Sequence, residues 1–457
     1  MEQKKIHTSL FRRITRYIPK NKSEYQQKKI PFFFLILITL IAAYTIFRVT
    51  DTAYQYVTHF DIKDIIGFFS TELKRDEKDH TNILILGNGG GDHDGADLTD
   101  TIIVASLDNE KKSLSMLSIP RDLWVDIPGY GSSRINKIFE NLKAEYNEEE
   151  ALDILKETIE NITNVSIPYY AKIDFAGFEE IIDTLGGIDI EVEKSIYDTA
   201  YPTPEGGYEI FELDAGLQHL DGETALKYAR SRHSTSDFDR AARQHKIMSA
   251  IKQKVQESNL ISSPLKVKKL FENFSDHLAT NMLISEMISL ASFFKSLDQD
   301  KIVSAVIKDN DLLDEGTFLY TPEREQYGGA FVLIPIGKSY DAIQRFTSLV
   351  FDFSNFFLEK ASIQILNGTK RFGLARTASD ELIPYGLNIQ HLDNADRKDY
   401  ENTHYYIHHP ENTRSTEEAI RYLFPQITKI TTSAPEGMNT EYDVSIVLGD
   451  NFNTDKL

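Results

Sequence analysis

The sequence predicts an α/β protein with a single N-terminal transmembrane helix and two domains that follow it. Three observations support this fold class. An uncharged apolar run follows a basic N-terminus, and short apolar runs that end in turn residues alternate with helical stretches. The same alternation begins again near Ser362, which predicts a smaller second domain with the order βαββαβ at residues 361–450.

The N-terminal segment has the composition of a signal anchor. Residues 1–29 contain nine lysines and arginines against two glutamates, and Ile30 to Phe47 carries no charge. A helix of about 20 apolar residues spans a bilayer, and a basic flank remains in the cytoplasm. We therefore predict a cytoplasmic arm at 1–29, a transmembrane anchor at 30–48, a stalk at 49–80 and a cell-membrane protein whose bulk is extracytoplasmic.

Two alternatives to the anchor are disfavoured. A cleaved signal peptide fits poorly, because the basic region is long and Ala42-Ala43 is a poor cleavage site. A DNA-binding arm is also disfavoured, because the apolar run follows the basic residues without a linker, and nucleic acid is not expected as a partner. The chain has no cysteine, which excludes disulfides, thiolate metal sites and cysteine nucleophiles.

A predicted hairpin brings charged residues together. The runs TIIVASL and SLSMLSI are joined by a polar turn centred near Glu110. In this register Asp100 lies opposite Pro120, so we expect Arg121 and Asp122 to lie beside Asp100.

The glycine loop before this hairpin predicts a metal site. The loop GNGGGDHDGADLT, residues 87–99, brings Asp92, Asp94 and Asp97 towards Asp100. Clustered carboxylates repel one another unless they share a hard cation such as Mg²⁺. The alternative is a solvated acidic loop with Arg121 in an ordinary salt bridge. The loop matches neither glycine-rich phosphate-binding pattern, so a nucleotide site is disfavoured.

The stretch YARSRHSTSDFDRAARQ, residues 228–244, gathers arginines in a chain of formal net charge −20. From Asp237 onwards its composition is helical. At 100° per residue, Asp237, Arg240 and Gln244 continue into an apolar stripe, so Arg240 and Gln244 should face inwards. Burial of a guanidinium without an anion is unfavourable.

The other arginines of this stretch surround the same helix start. Arg243 lies at the flank of the stripe, and Arg230 and Arg232 share one side if their segment is extended. The helix N-terminus adds positive potential. Guanidinium groups match phosphate oxygens in a bidentate manner, so several together suit a pyrophosphate. An internal network of arginines and carboxylates is the alternative.

Seven motifs, in this order, resemble those of the LytR-CpsA-Psr family. They are NILILG, TDTIIVASLD, LSIPRDLWVDIPG, INKIFE, DFAGFEEIIDTLGGIDIEV, GLQHLDGETALKYARSR and DFDRAARQ. The resemblance covers Asn82 to Val350, and residues 361–450, with IQILNGT, resemble the C-terminal domain of LytR-type members.

The resemblance implies a fold and an activity. The catalytic domain at 81–350 would have a central mixed sheet flanked by helices. The enzyme would be a Mg²⁺-dependent phosphotransferase in cell wall biogenesis. It would transfer a glycopolymer, such as a teichoic acid or a capsule-like polysaccharide, with one phosphate from a polyprenyl pyrophosphate to peptidoglycan. The lipid-linked polymer, peptidoglycan and the membrane are the implied partners.

The resemblance also implies roles for individual residues. The phosphate-binding group would comprise Arg121, Arg134, Arg230, Arg232, Arg240 and Gln244, with Asp237 positioning them, and the helical pattern adds Arg243 to this group. Asp100 would be a metal ligand. For the transfer itself, Asp122 is a candidate general base. Asn88 stands where the family usually has an aspartate, so we expect Asp92, or alternatively Asp94, to supply a second ligand. Leu98 stands where the family often has an arginine.

Two other functions remain open at this point. A hydrolase could act on the same lipid carriers, and it would need a base that positions water in line with the phosphate. A non-enzymatic wall-binding or regulatory protein would not need the inward-facing Arg240.

Overall fold

The computed structural model describes residues 71–91, 95–127, 129–203, 207–231, 237–257, 274–308, 318–430, 434–435 and 438–453. The chain divides into two compact units, Met1–Lys63 and Asp64–Leu457, and every described residue belongs to the second. The anchor predicted at 30–48 lies outside the described residues. Within the described ranges, no helix has the length and apolar character needed to cross a membrane.

The first domain alternates strands and helices. Its strands are β1 (His80–Asn88), β2 (Thr101–Asp108), β3 (Ser113–Ser118), β4 (Trp124–Ile127), β5 (Gly131–Arg134), β6 (Tyr169–Asp174), β7 (Ile188–Val192), β8 (Ile196–Pro202), β9 (Tyr208–Leu213), β10 (Gly216–Leu220), β11 (Leu278–Thr280), β12 (Ile302–Val306), β13 (Leu319–Tyr320) and β14 (Ile334–Pro335). Its helices are α1 (Ile138–Lys143), α2 (Glu148–Thr163), α3 (Phe175–Thr184), α4 (Gly222–Arg230), α5 (Asp237–Glu257), α6 (Ile284–Ser296), α7 (Asp341–Asp352) and α8 (Ser354–Glu359).

The central sheet is mixed, as predicted. In the described part of the chain its strand order is β11-β6-β1-β2-β3-β12. Strand β1 is parallel to β6, and β3 is parallel to β12, while β2 runs antiparallel to both β1 and β3. The carboxyl ends of β6, β1, β3 and β12 therefore meet at one edge. Asn88, Asp174 and the segment after Ser118 lie at this edge, where β2 begins with Thr101.

Both faces of the sheet are covered. Leu84, Val104 and Leu117 form cross-strand pairs on one face and belong to a core shared with α1, α2 and α7. Side chains alternate along a strand, so Ile103 and Met116 point to the opposite face, where α5 and α6 cover them.

An outer layer packs on the far side of α5. Strands β7 to β10 and helices α3 and α4 form a separate apolar cluster with Ile247 and Ala250 of α5. Helix α5 is therefore covered on two sides, by the central sheet and by this layer.

The second domain confirms most of the predicted element order. It comprises β15 (Ser362–Asn367), α9 (Leu374–Leu382), β16 (Asn388–Asn394), β17 (His404–Ile407), α10 (Arg414–Leu423), β18 (Thr428–Lys429) and β19 (Val444–Leu448). The strand order is β16-β15-β19-β17-β18 among the described residues. The predicted order βαββαβ is wrong by one strand. The extra strand, β18, is two residues long and is defined only by its parallel pairing with β17.

The two domains share one apolar core. Phe318 and Phe346 of the first domain lie against Tyr385 of the second, with ring centroids 5.1 and 6.5 Å from the Tyr385 ring. Glu359, at the end of α8, accepts hydrogen bonds from the backbone N–H groups of Ser415 and Thr416 at 2.8 and 2.7 Å. These contacts fix the second domain against the first.

Two local predictions differ from the structure. In the hairpin Asp108 pairs with Ser113, so the turn is shifted and the ladder directs Asp100 towards Arg121 rather than Pro120. The predicted stalk ends too late, because Leu73 is buried and the Lys74 N–H donates to the Tyr169 hydroxyl at 2.9 Å.

Candidate active site

An arginine–carboxylate pair occupies the carboxyl edge of the central sheet. Nη1 of Arg121, which follows β3, donates to Oδ1 of Asp100, which precedes β2, at 2.9 Å. Nδ2 of Asn136 donates to the same oxygen at 3.3 Å. The side chain of Asp100 remains 37% exposed. The pair is therefore held by the protein and accessible from solvent, and the predicted contact between Arg121 and Asp100 is confirmed.

Asp122 connects this pair to Arg134. The hairpin of β4 and β5 sets Arg134 opposite Trp124. Nη1 of Arg134 donates to Oδ1 of Asp122 at 2.9 Å, and Nε of Arg121 lies 3.4 Å from Oδ2. Asp122 is buried. One buried carboxylate therefore orients two guanidinium groups.

The surroundings of Asp100 contain oxygen atoms that suit a hard cation. Asp92 and Asp94 lie outside the described residues. Across the part of the chain that the structure describes, the buried Oδ1 atoms of Asn88 and Asn136 accept no hydrogen bond. The same part contains no group of three or more histidine, aspartate or glutamate residues arranged for a metal. The described residues thus offer one carboxylate and two amide oxygens.

Helix α5 brings Arg240 and Gln244 to the same edge. Arg240 is buried, which confirms the predicted inward orientation. Nε2 of Gln244 donates to Oγ1 of Thr101, the first residue of β2, at 2.9 Å. Arg240 lies one turn earlier on the same helix face. Arg232 and the side chain of Asp237 lie outside the described residues.

Arg243 is engaged with the protein itself. Its Nε donates to the Tyr228 carbonyl at 2.8 Å, and its Nη2 donates to the Ser231 carbonyl. Both carbonyls lie at the C-terminal end of α4, where helix carbonyls lack intrahelical partners. Arg243 is buried, because the outer layer covers the flank of the stripe on which it lies.

Arg230 stands beside the carboxyl end of β6. Its Cζ lies 4.0 Å from the centroid of the Phe175 ring, and its Nη1 donates to the Tyr201 hydroxyl at 3.2 Å. Burial raises the pKa of Tyr201, so the phenol stays neutral. Since Phe175 follows Asp174 directly, Arg230 belongs to the same sheet edge as Asp100 and Arg121.

Two buried or partly buried pairs were not predicted from the sequence. Ser118 and His245 lie 2.9 Å apart (Oγ to Nε2), and burial lowers the pKa of His245 to about 4. Asp174 and His277 lie 2.9 Å apart (Oδ2 to Nδ1). His245 follows Gln244 directly and lies near the same helix face, so the helical pattern of the sequence contains a signal for its inward orientation. No pattern in the sequence connects His277 with Asp174.

The fold and the site define an α/β protein whose arginines converge from several elements on the carboxyl edge of a mixed sheet. Comparison with family models makes the class specific. The LytR_cpsA_psr family model matches residues 44–330, and the model described as LytR cell envelope-related transcriptional attenuator matches residues 360–452. The chain belongs to the LytR_cpsA_psr family.

Individual relatives match only part of the chain. The polyisoprenyl-teichoic acid–peptidoglycan teichoic acid transferase TagV of Bacillus subtilis is 32% identical over 229 residues, which cover 49% of this chain and 56% of that protein. The regulatory protein MsrR of Staphylococcus aureus (strain COL) is 33% identical over 200 residues, which cover 42% of this chain and 54% of that protein. The crystal structure of B. subtilis TagV covers 61% of this chain and 99% of that chain, with 26% identity and a TM-score of 0.46. The matched region thus spans just over half the length of the proteins TagV and MsrR themselves.

Proposed function

We propose that this protein is a cell-envelope phosphotransferase that attaches a glycopolymer carried on polyprenyl pyrophosphate, such as a teichoic acid or a capsule-like polysaccharide, to peptidoglycan. The observation that carries this proposal is the hydrogen bond from Gln244 to Thr101. It fixes the arginine-bearing helix α5 against the edge where Asp100 and Arg121 meet. Family membership and the name of the relative TagV support the same activity.

The arginines would hold the pyrophosphate. Arg121, Arg230 and Arg240 approach the edge from three elements, so their donors can surround one anion. Arg134 is oriented by Asp122 and adds a fourth guanidinium. Predicted roles for Arg232 and Asp237 belong to the same proposal. Fixed guanidinium groups stabilise negative charge that develops on a leaving phosphate without reorganisation.

Mg²⁺ would bind beside Asp100. The oxygen atoms of Asp100, Asn88 and Asn136 match the ligand preference of Mg²⁺, which commonly uses one or two carboxylates together with substrate phosphates. Asp92 from the glycine loop would complete the set. The bound ion would supply a positive charge that neutralises phosphate oxygens.

The reaction would be a displacement at phosphorus. A sugar hydroxyl of peptidoglycan would attack the phosphorus next to the polymer and form a new O–P bond. The bond to the polyprenyl phosphate would break, and the lipid phosphate would leave with the electron pair. The sequence predicts Asp122 as the proton acceptor, but two arginines already engage its carboxylate, so it is poorly available for that role.

The topology of the chain is part of the proposal. Residues 1–29 would lie in the cytoplasm, 30–48 would span the membrane, and the domains at 81–350 and 361–450 would face the cell wall. The basic composition of 1–29 and the absence of charge from Ile30 to Phe47 support this orientation. A reporter fused after Leu457 should be active only outside the cytoplasm.

Transfer by the purified full-length chain tests the activity. The chain would be incubated with a lipid-linked polymer, peptidoglycan fragments and Mg²⁺, and the phosphodiester product would be measured by mass spectrometry. We expect Arg121→Gln and Arg240→Met to reduce transfer by at least 100-fold. Arg414→Gln, at a side chain that is 89% exposed, is the matched control.

The same assay separates the alternatives. Release of free polymer phosphate with no peptidoglycan product would identify a hydrolase. Neither product, with peptidoglycan binding retained, would identify a wall-binding or regulatory protein; the relative MsrR carries the name of a regulatory protein.

A further inference from the structure

A histidine–aspartate pair lies at the same edge of the central sheet and has no role in the site described above. Nδ1 of His277 lies 2.9 Å from Oδ2 of Asp174. The other oxygen of Asp174, Oδ1, accepts the Gly177 N–H at 2.8 Å. The carboxylate is thus fixed at the start of α3, and its contact with Nδ1 directs Nε2 of the imidazole away from Asp174.

Two glycines make room for this pair. A Cβ at Gly177 would lie 2.6 Å from the Cβ of His277. A Cβ at Gly90, whose φ of +70° also favours glycine, would lie 2.7 Å from the Cβ of Asp174. A side chain at either position would displace the pair, so the local packing defines the orientation of the imidazole.

The strand register connects the pair with the site. Asp174 is the partner of Asn88, and the adjacent strand pair ends at Gly87 and Thr101. Asp174 therefore lies two strand spacings, about 10 Å, from the strand that follows Asp100. Phe175, on which Arg230 stacks, is the next residue along the chain. His277 precedes β11, which pairs with the side of β6 away from Arg121, so the imidazole lies at the Arg230 end of this edge.

We propose that His277, oriented by Asp174, is the general base that accepts the proton of the incoming peptidoglycan hydroxyl. This inference rests on the proposed transferase function. As the hydroxyl oxygen forms its bond to phosphorus, its proton passes to Nε2 of His277, and the polyprenyl phosphate leaves with the electrons of the broken P–O bond. The side chain of His277 is 35% exposed, so a bound sugar can reach it. Base, orienting carboxylate and fixed geometry form the arrangement that general-base catalysis requires.

The charged neighbours of His277 all raise its pKa. The hydrogen bond with Asp174 raises the pKa of His277, and partial burial opposes it, while the charges of Asp174, Glu180 and Asp276 raise it further. The neutral imidazole that can accept a proton is therefore populated above a pKa higher than 6.5. The rate of transfer should therefore increase as the pH rises through the pKa of His277. A protonated His277 that merely binds phosphate would give the opposite trend.

The pH dependence of transfer by the full-length chain tests the proposal. We expect His277→Gln to lower kcat by about 100-fold or more, with little change in KM for the lipid substrate, and to remove the acidic limb of the profile. Asp174→Asn keeps an oxygen that can accept the Gly177 N–H, so α3 retains its cap. It should move the acidic limb to lower pH. His391→Gln is the matched control, because His391 also lies near an aspartate, 3.7 Å from Asp393.

Direct titration of His277 gives a second measurement that needs no substrate. In ¹³C-histidine NMR spectra of the full-length chain, the signal lost in His277→Gln should titrate above 6.5 and shift downwards in Asp174→Asn. A signal whose titration is unchanged in Asp174→Asn would show that Asp174 does not act on His277 and would overturn the proposal. An unchanged acidic limb in an active His277→Gln would do the same and leave the transferase function intact. A wild-type chain with no transfer activity would overturn the proposed function, and with it the role of His277. Farnesyl pyrophosphate binding that weakens with rising pH in wild type, and not in His277→Gln, would identify a phosphate ligand instead of a base.

Discussion

His245 is a buried, neutral side chain on the helix that carries Arg240 and Arg243. It contacts Ser118 at 2.9 Å, and both residues are buried next to the turn of α5 that carries Arg243 and Gln244. Burial lowers the pKa of His245 to about 4, so the imidazole is uncharged at pH 7. The contact fixes α5 to β3 without adding a positive charge.

The stability of the protein should depend on pH through His245. In the unfolded chain its pKa returns to 6.5, so below that value the unfolded state binds a proton that the folded state excludes. The free energy of unfolding should therefore fall by about 2 kcal/mol from pH 7 to pH 5 through this residue alone. Urea unfolding of wild type and His245→Gln at both pH values measures the difference. Equal losses in the two proteins would contradict the prediction.

Asp100 should control the response to Mg²⁺. Asp100→Asn removes the carboxylate charge and keeps an oxygen that can accept from Arg121 and Asn136. We expect the Mg²⁺ concentration for half-maximal transfer to rise at least tenfold, and Asp92→Asn to behave similarly if the glycine loop supplies the second ligand. Normal Mg²⁺ dependence in Asp100→Asn would assign the ion to another position.

At the residue scale, the sequence predicts contacts that lie close along the chain. Asp100 and Arg121 meet because one hairpin joins them. The predicted register of this hairpin is wrong by one residue, but it still places the two side chains beside each other. Asp174 and His277 are 103 residues apart. They meet through β11, a three-residue strand without a recognisable pattern.

Helix α5 shows the limit of amphipathic patterns at the scale of an element. The apolar stripe predicts the inward orientation of Arg240 and Gln244, because that stripe faces the sheet. The stripe does not predict the burial of Arg243, because an amphipathic pattern marks only one buried face of a helix. The outer layer buries a second face through Ile247 and Ala250.

Arg243 and Arg240 should therefore respond differently to substitution. Arg243→Met leaves the carbonyls of Tyr228 and Ser231 without this donor, so we expect a loss of about 1–3 kcal/mol of stability. Arg240→Met should instead abolish the increase in Tm that farnesyl pyrophosphate produces. Thermal melts with and without this compound compare the two. If Arg243→Met keeps the Tm of wild type and loses the ligand response, Arg243 belongs to the phosphate-binding group.

At the scale of the whole molecule, the two domains share a core that neither would complete alone. Phe318 and Phe346 pack against each other at 4.8 Å between ring centroids, and both contact Tyr385. The element order of each domain can be read from its own sequence pattern. Contacts between the domains cannot, because apolar residues of a domain interface have the same periodicity as those of an internal core.

We expect the two domains to unfold in one cooperative transition. Phe346→Ala should destabilise the protein by about 3–5 kcal/mol, and it should lower the protection of amide hydrogens in β2 and β15 together. Hydrogen exchange at increasing urea measures both strands in one experiment. Phe372→Ala, at a fully exposed phenylalanine, is the control. Loss of protection in β2 alone would show that the domains unfold independently.

Glu359 provides a cap for α10, and this cap affects how the two domains can be exchanged between related chains. A helix start in the second domain is satisfied by a carboxylate from the first, through Ser415 and Thr416. A replacement of Glu359 would leave both N–H groups without their acceptor, and an exchanged second domain would meet a foreign partner at the same point. Chimaeras joined near residue 360 should therefore fold only when Glu359, Phe318 and Phe346 are transferred together with the new domain. The unit of inheritance is thus larger than either domain.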